Sequence, residues 1–420
     1  MLTPSSKRNI LSNPSRHLNR RNIIIVGAMV IIVVLAFLVF HHHNNNKNNQ
    51  AVSKSNSSSS QTTVSSNKGS IRMMITGDWI AHSSVDSAAL QPNGTYNFLP
   101  QVSDIMPKFD TADIRFCNDP ILNGGESLGV SGYPKFNSPT EFVTDMGKFG
   151  CNLVNTASNH SFDFTQANIN NSVTAWQQVP NMLAVAGENQ NQAQHDTVHT
   201  FTVKGVKFAF LAYTAYSNTD APPLNNYGVN VFSDSLAASQ IQQAKADGAK
   251  FIIVSIRWGI EYSTSVDAEQ KQDAQFLADQ GVNLVLGHGS HELQPVQQLT
   301  GSSGNVTTVW YSIGNFLNTQ EPAETLFNGL PVIDIDTNTL KITNMRFLPT
   351  YMHYEWTPAQ QAADDIAART NLHMYFLEDV TQSMINAQQL NTTVAAQKQR
   401  MATTLNTYGL NIPLITSSQL

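Results

Sequence analysis

The sequence predicts an α/β fold in which mixed β-sheets are flanked by helices, with a transmembrane helix ahead of the folded part. Short apolar runs alternate with helical segments over most of the chain. This alternation is typical of layered domains with a largely parallel sheet. A hairpin signal at Lys204-Gly205 and β-rich runs further along indicate that antiparallel strands are also present. The unbroken apolar run at 23–40 predicts the membrane span.

The folded part is expected to consist of a main domain at 70–350 and a C-terminal helical segment at 351–420. Apolar runs that end in a loop predict buried strands at residues 71–78, 112–119, 152–157, 183–187, 250–259 and 283–291. Helical patterns predict helices at residues 139–149, 165–178, 235–247 and 267–280. From residue 358 onward the chain is rich in Ala and Gln with helical periodicity.

The first 68 residues indicate a membrane anchor and a spacer. Residues 1–22 are predicted to be a cytoplasmic basic tail, because this stretch holds five Lys and Arg residues and no acidic residue. Residues 23–40 would cross the cell membrane once and leave the main domain outside the cytoplasm. A cleaved signal peptide is the competing interpretation, which the length of the run and the lack of a small-residue cleavage site disfavour. Residues 41–68 are mostly His, Asn, Ser, Gln and Thr and predict a disordered linker.

Composition narrows the partners that the domain is expected to bind. The chain is 13% charged with a formal net charge of -6, and no basic stripe runs through its body. A nucleic-acid partner is therefore not expected. The two cysteines, Cys117 and Cys151, are placed near opposite ends of two parallel strands by the strand assignment, which predicts two buried thiols rather than a disulfide.

Polar residues follow the ends of several predicted strands. In α/β folds, loops at the carboxyl ends of strands carry the chemistry. Carboxylate, amide and imidazole groups brought together in this way can hold divalent metal ions. The residues concerned are Asp78, Asn118, Asp119, Asn159, His160, Arg257, His288 and His291.

The order of these motifs resembles the CapA family, which is associated with poly-γ-glutamate capsule synthesis and belongs to the calcineurin-like metallophosphatase superfamily. The resemblance covers about residues 70–350 and rests on TGDWIAHSSV, SGYPKFNSPTEF, NTASNHSFDF, WGIEY, LVLGHGSHELQPVQ and YSIGNFL together. It implies a metallophosphatase-like layered sandwich. It also implies an extracytoplasmic role in making an anionic surface polymer.

The resemblance also marks three positions where this chain departs from the family pattern. Pro120 stands where a Glu is usual, and Arg257 and Gly289 stand where His is usual. Arginine stays protonated and cannot ligate a cation, but its planar fork suits phosphate and carboxylate. The site is therefore expected to hold at most one divalent metal, Mn, Fe or Zn, or to have changed to anion binding, and a dinuclear centre is doubtful.

The resemblance assigns roles to individual residues. The candidate metal ligands are Asp78, Asn118, Asp119, His160, His288 and His291. The candidate catalytic residues are Asn159, His160 and Asp163, with Asp163 orienting His160 or capping the next helix. The candidate substrate-binding residues are Arg257, Glu261 and Asn315.

Three functions remain open at this point. The first is a metal-dependent phosphoesterase or other hydrolase, and the second is a non-catalytic subunit that binds an anionic polymer. The third is a structural surface protein, against which the retained Asn159, His160 and Asp163 argue. The expected partners are an anionic cell-surface polymer or its precursor, the membrane, and other subunits of a membrane synthase complex.

Overall fold

A computed structural model of the chain describes residues 69–220 and 226–420. The predicted tail, anchor and linker at 1–68 lie outside these residues. Within the described residues, no helix is both long enough and apolar enough to cross a membrane.

Thirteen strands build the described part. They are β1 Ser70–Asp78, β2 Ile114–Asn118, β3 Leu153–Asn155, β4 Ala184–Ala186, β5 His199–Val203, β6 Val206–Thr214, β7 Phe251–Arg257, β8 Leu284–His288, β9 Val296–Thr300, β10 Val306–Trp310, β11 Phe327–Asp336, β12 Ile342–Glu355 and β13 Thr370–Phe376.

Eleven α-helices connect and flank the strands of the described part. They are α1 Ser83–Ala89, α2 Met106–Phe109, α3 Thr140–Phe149, α4 Gln166–Gln177, α5 Gln192–His195, α6 Asp234–Ala246, α7 Ala268–Asp279, α8 Ala323–Leu326, α9 Pro358–Ala362, α10 Gln382–Ala387 and α11 Val394–Leu405. Local capping fixes several starts: at α7, Asp267 and Gln270 form a reciprocal capping box.

The strands form two mixed sheets, as the sequence predicted. One has seven strands in the order β13-β12-β11-β1-β2-β3-β4, and the other has six in the order β5-β6-β7-β8-β10-β9. Strands β1 to β4 run parallel, as do β6, β7, β8 and β10. The remaining strands, which are β11, β12 and β13 in one sheet and β5 and β9 in the other, pair antiparallel with their neighbours. The carboxyl ends of the parallel strands therefore carry the loops where polar residues collect.

The two sheets pack face to face around the main hydrophobic core. Phe116 of β2 contacts Phe210 of β6 with 6.1 Å between ring centroids, and both rings are fully buried. A second core lies on the other face of the six-stranded sheet, where Ile241 of α6 and Leu277 of α7 cover Ile252 and Val254 of β7. This layering agrees with the predicted sandwich of sheets flanked by helices.

The predicted pair of free thiols is wrong, because Cys117 and Cys151 form a disulfide with their Cα atoms 5.8 Å apart. The prediction assumed that the chain reaches Cys151 at the far end of the neighbouring strand. Instead Cys151 belongs to the end of α3, since its N–H donates to the carbonyl of Met146. Gly150, at φ +118°, makes the tight turn that brings Cys151 beside Cys117.

The C-terminal residues are only partly helical. Residues 351–420 hold α9, α10 and α11, as predicted, but also the end of β12 and all of β13. Strand β13 pairs antiparallel with β12 at the edge of the seven-stranded sheet. Leu372, Met374 and Phe376 alternate with more exposed residues and face the core, a period-two pattern that the Ala- and Gln-rich surroundings obscured.

Candidate functional site

The site forms where β1, β2 and β8 end. Asp78, Asn118 and His288 are the last residues of these three strands. Asp78 is the register partner of Asn118, and it also bridges to Asn315, which follows β10 in the other sheet. Both sheets therefore contribute to one site, whereas the motifs had been expected to meet at the edge of a single sheet.

Asp78 lies at the centre of a buried cluster. Its Oδ1 accepts a hydrogen bond from Asn118 Nδ2 at 2.8 Å and lies 3.3 Å from His288 Nδ1, while its Oδ2 lies 3.2 Å from His291 Nδ1. Complete burial raises the pKa of Asp78, but the two histidines outweigh burial and bring its pKa well below the ordinary value. Asp78 therefore carries its negative charge inside the protein.

The donor chemistry of this cluster suits a divalent cation. A carboxylate and two imidazoles are ligands that zinc, manganese and iron accept. His288 is fully buried, and neither of its ring nitrogens has a hydrogen-bond partner, because the approach of Nδ1 to Asp78 lacks hydrogen-bond geometry. A buried imidazole without a partner is costly, and a bound cation would satisfy it.

The geometry falls short of a formed metal centre. Among residues 69–220 and 226–420, no group of three or more His, Cys, Asp and Glu side chains is arranged to hold a metal ion. Asn118 is placed to orient Asp78, since its Oδ1 accepts from Asn155 at 2.7 Å while its Nδ2 donates to Asp78. The predicted ligands Asp78, His288 and His291 come together, with Asn118 as their support.

Asp119 lies away from this cluster, contrary to its predicted role as a ligand. Its Oδ2 accepts from Asn123 at 2.8 Å and from Trp176 Nε1 at 3.0 Å, and burial raises its pKa to about 7. Successive residues of an extended chain point to opposite sides, so a chain that turns Asn118 toward Asp78 turns Asp119 away.

His160 and Asp163 form a pair at the edge of the site. Asp163 Oδ2 lies 2.6 Å from His160 Nδ1 and also accepts from the backbone N–H of Phe136 at 2.9 Å. The ring of Phe136 meets the His160 imidazole edge-on at 4.8 Å. Asp163 therefore orients His160, one of the two roles predicted for it, while Asn218 Nδ2 lies 3.4 Å from Nε2 of the imidazole.

Arg257 hydrogen-bonds to other residues of the site and does not face a ligand. Its guanidinium is 1% exposed and donates to Asn159 Oδ1 at 2.9 Å and to Glu261 Oε1 at 2.8 Å. A Cβ atom at Gly289 would lie 1.9 Å from Arg257 Nη1, so the guanidinium fills the space that a side chain at 289 would need. The predicted direct contact between Arg257 and an anionic ligand is not what this arrangement offers.

Asn315 likewise contacts another residue of the site, His291. Its Oδ1 lies 3.0 Å from His291 Nδ1, and its Nδ2 donates to Gln320. His291 adopts φ +63° in the left-handed region, which turns its ring back toward Asp78 and Asn315. Asn315 therefore positions His291 and is not among the residues that line the cavity above the site.

A cavity of about 360 Å³ opens above the cluster. Four of the candidate site residues line it, namely Asn159, His160, Glu261 and His291. Sequence reasoning missed another part of the cavity lining, which contains Glu321, Asp364 and Arg369. These three residues lie outside the recognisable motifs, and only the fold brings them to the cavity.

His82 also lines the cavity, and it stays uncharged. Its Nδ1 accepts from the backbone N–H of Thr319 at 3.2 Å. Burial, with help from the nearby charges of His291 and Arg369, lowers the pKa of His82 to about 3. His82 therefore offers a neutral imidazole at the cavity at physiological pH.

Residues 72–320, more than half of the chain, match the bacterial capsule synthesis protein family PGA_cap. The chain belongs to this family. The resemblance inferred from the motifs is thereby confirmed.

Two relatives, both called CapA, match parts of this chain. The PGA biosynthesis protein CapA of Bacillus subtilis (strain 168) is 26% identical over 219 residues, which are 52% of this chain and 55% of that protein. The capsule biosynthesis protein CapA of Bacillus anthracis is 24% identical over 183 residues, 42% of each chain. The chain thus spans about half the length of the curated relatives it matches.

Two of the solved structures that resemble the family member are a nucleotidase and a calcineurin-like phosphoesterase by name. The NAD nucleotidase of Haemophilus influenzae has a TM-score of 0.41 and 12% identity, and the likeness covers 71% of this chain and 55% of that one. The calcineurin-like phosphoesterase YfkN of Bacillus subtilis has a TM-score of 0.37 and 15% identity, over 79% of this chain and 96% of that one.

Proposed function

We propose that this capsule synthesis protein is a membrane-anchored hydrolase that acts on poly-γ-glutamate or a related anionic surface polymer, or on its precursor, outside the cytoplasm. Asp78, His288 and His291 are the residues that would hold one divalent metal ion to assist it, although their arrangement in the described structure is not that of a formed metal centre. The observation that carries the proposal is the charged Asp78, which lies within 3.3 Å of both histidines beneath a cavity lined by His160.

Two features support an extracytoplasmic place for the domain. The basic tail and the apolar run at 23–40 predict an anchor with its N-terminus inside. The Cys117–Cys151 disulfide is a bond that persists in oxidising compartments and is rare in the cytoplasm. Other subunits of a membrane synthase would then be reached at the same membrane surface.

The proposal of one metal ion rather than two rests on the positive charge of Arg257 beside the cluster. Arg257 keeps a fixed positive charge within hydrogen-bond distance of Asn159, and this charge opposes a second cation next to it. When bound, the metal would polarise the scissile group and lower the pKa of a bound water. This chain's own residues do the rest: Asn159, held by Arg257, orients the substrate, and His160, held by Asp163, moves a proton at Nε2.

Charge argues against retention of the polymer by electrostatic attraction. The first 68 residues contain eight of the 24 Lys and Arg residues and none of the 30 Asp and Glu residues. The remaining chain therefore has 16 basic and 30 acidic residues, a formal charge of -14. An anionic polymer is repelled by such a surface, and a subunit that stores it by electrostatic attraction is disfavoured.

Activity with a matched pair of histidine variants tests the proposal. Full-length protein in detergent is incubated with manganese and either a phosphodiester or poly-γ-glutamate, and product release is followed. His160→Gln is expected to lose at least about a hundredfold in rate, because general acid–base catalysis contributes about that much.

His195→Gln is the control, since His195 also pairs with an aspartate, Asp196 at 3.0 Å, but lies on α5 away from the cavity. This variant is expected to keep the full rate. Equal rates for the two variants, or no manganese-dependent turnover of either substrate by the wild type, would refute the hydrolase proposal.

A further inference from the structure

Part of the cavity wall is built by residues outside the family match. The match ends at residue 320, whereas Glu321, Asp364 and Arg369 of this wall follow it. Arg369 is the only Lys or Arg among the described residues that line the cavity. Among the described residues, Arg369 is therefore the only cavity-lining side chain that carries a permanent positive charge.

Arg369 is held rigidly. Its side chain is 3% exposed, and its guanidinium carbon lies 4.4 Å from the centroid of the Trp356 ring and 5.0 Å from that of Tyr354. Its Nη1 donates to the carbonyl oxygen of Thr319. Stacking on two aromatic rings fixes the plane of the guanidinium, so its donors are oriented before a ligand arrives.

Not every N–H group of Arg369 has a hydrogen-bond acceptor. Nη2 donates to Glu321 Oε1 at 3.1 Å, and Nε is buried without any acceptor. A charged, buried N–H group without an acceptor is unfavourable. An oxyanion with two oxygens could satisfy Nε and Nη2 together, which is the bidentate geometry that arginine favours.

Glu321 is weakly held by comparison. Its side chain is 42% exposed, so water competes for its carboxylate, whereas the Arg369 side chain is only 3% exposed. Burial raises the pKa of Glu321, Arg369 lowers it and the neighbouring Asp364 raises it further. The Glu321 carboxylate is therefore an occupant that a competing anion can displace.

We propose that Arg369 binds an oxyanion group of the ligand, and that the Glu321 carboxylate holds this position until the ligand displaces it. The displaced group is itself the carboxylate of a glutamate side chain, so a carboxylate of a γ-linked glutamate chain fits by chemistry. A phosphate group shares the same chemistry. This inference rests on the proposed function for the identity of the polymer, but not for the oxyanion subsite.

Calorimetric titration of the full-length protein in detergent tests the subsite with two probes, tri-γ-glutamate and inorganic phosphate. Glu321→Gln is expected to tighten binding several-fold, because the competing carboxylate is removed. Arg369→Gln is expected to weaken binding at least about tenfold, the cost of losing a charge-assisted pair of hydrogen bonds. Arg369→Lys should fall between, since it keeps the charge and loses the fork.

Arg346→Gln is the matched control. Arg346 also donates to a carboxylate, Asp334 at 2.9 Å, but it does not line the cavity. Its substitution should leave both affinities unchanged. The Glu321→Gln variant keeps the proposal testable even if Arg369→Gln is poorly folded, because Glu321 is half-exposed and not part of the core.

The outcomes separate the two proposals. Arg369-dependent binding of phosphate alone would support the subsite and count against the polymer. Binding of tri-γ-glutamate that follows the expected order of variants would support both. Unchanged affinity in Glu321→Gln, or the same affinity in Arg369→Gln and Arg346→Gln, would overturn the subsite. Manganese binding should be equal in all four variants.

Discussion

At the scale of single residues, two buried aspartates show how neighbours decide ionisation. Asp78 has two histidines and an asparagine around its carboxylate and stays charged. Asp86 on α1 is 6% exposed and has no hydrogen-bond partner at either oxygen, and burial raises its pKa to about 8. Asp86 is therefore protonated at neutral pH, and its ionisation works against folding.

Asp86 should make stability fall with rising pH. Below about pH 4 the carboxyl is protonated in both the folded and the unfolded state. Between about pH 4 and pH 8 the folded state keeps a proton that the unfolded state has lost, so stability declines by about 1.4 kcal/mol per pH unit. Asp86→Asn should remove this slope and stabilise the protein by about 3 kcal/mol more at pH 7.5 than at pH 5.

Urea unfolding of wild type and Asp86→Asn at the two pH values measures this difference. Asp365→Asn serves as the control, because Asp365 is exposed. A difference between wild type and Asp86→Asn that does not change with pH would show that Asp86 is ionised in the folded protein.

At the same scale, the limits of prediction have physical causes. Residues at strand ends that carry chemistry, such as Asp78 and His291, could be found from sequence because strand ends converge at one edge of a sheet. The sequence could not show which of Asn118 and Asp119 faces the site, because the direction of each side chain depends on the exact residue where β2 ends. Arg369 carries no local signal, and only the path of the chain after β12 brings it to the cavity.

At the scale of elements, the turn from α3 into β3 decides how the cysteines meet. Helix ends and strand starts are the least certain boundaries in a sequence, and a shift of two residues there changes which face a cysteine occupies. Alternation of strands and helices was a sufficient guide to both mixed sheets. It could not show that Cys151 remains within the last turn of α3.

The disulfide is expected to stabilise the protein substantially. It closes a loop of 34 residues, for which the chain-entropy relation gives about 4 kcal/mol. Reduction should therefore lower the urea midpoint of the wild type, as followed by circular dichroism. The double variant Cys117→Ala/Cys151→Ala should show the same midpoint with and without reductant. A wild-type midpoint that stays constant after thiol titration has verified reduction would contradict this expectation.

At the scale of the whole molecule, each of the two sheets supplies residues to the site. The seven-stranded sheet supplies Asp78 and Asn118, and the six-stranded sheet supplies Arg257 and His288. The C-terminal residues add part of the cavity wall and one edge strand. The part of the chain beyond residue 68 has a formal charge of -14, which would repel an anionic polymer from the surface in general.

The central claim is that Asp78, His288 and His291 hold one metal ion beside a fixed guanidinium. Metal content measured by inductively coupled plasma mass spectrometry, on full-length protein equilibrated with manganese and freed of excess, tests it most directly. We predict one ion per chain in the wild type, one in the buried but remote Asp119→Asn variant, and none in Asp78→Asn. Two ions per chain, or an ion that survives Asp78→Asn, would contradict the account.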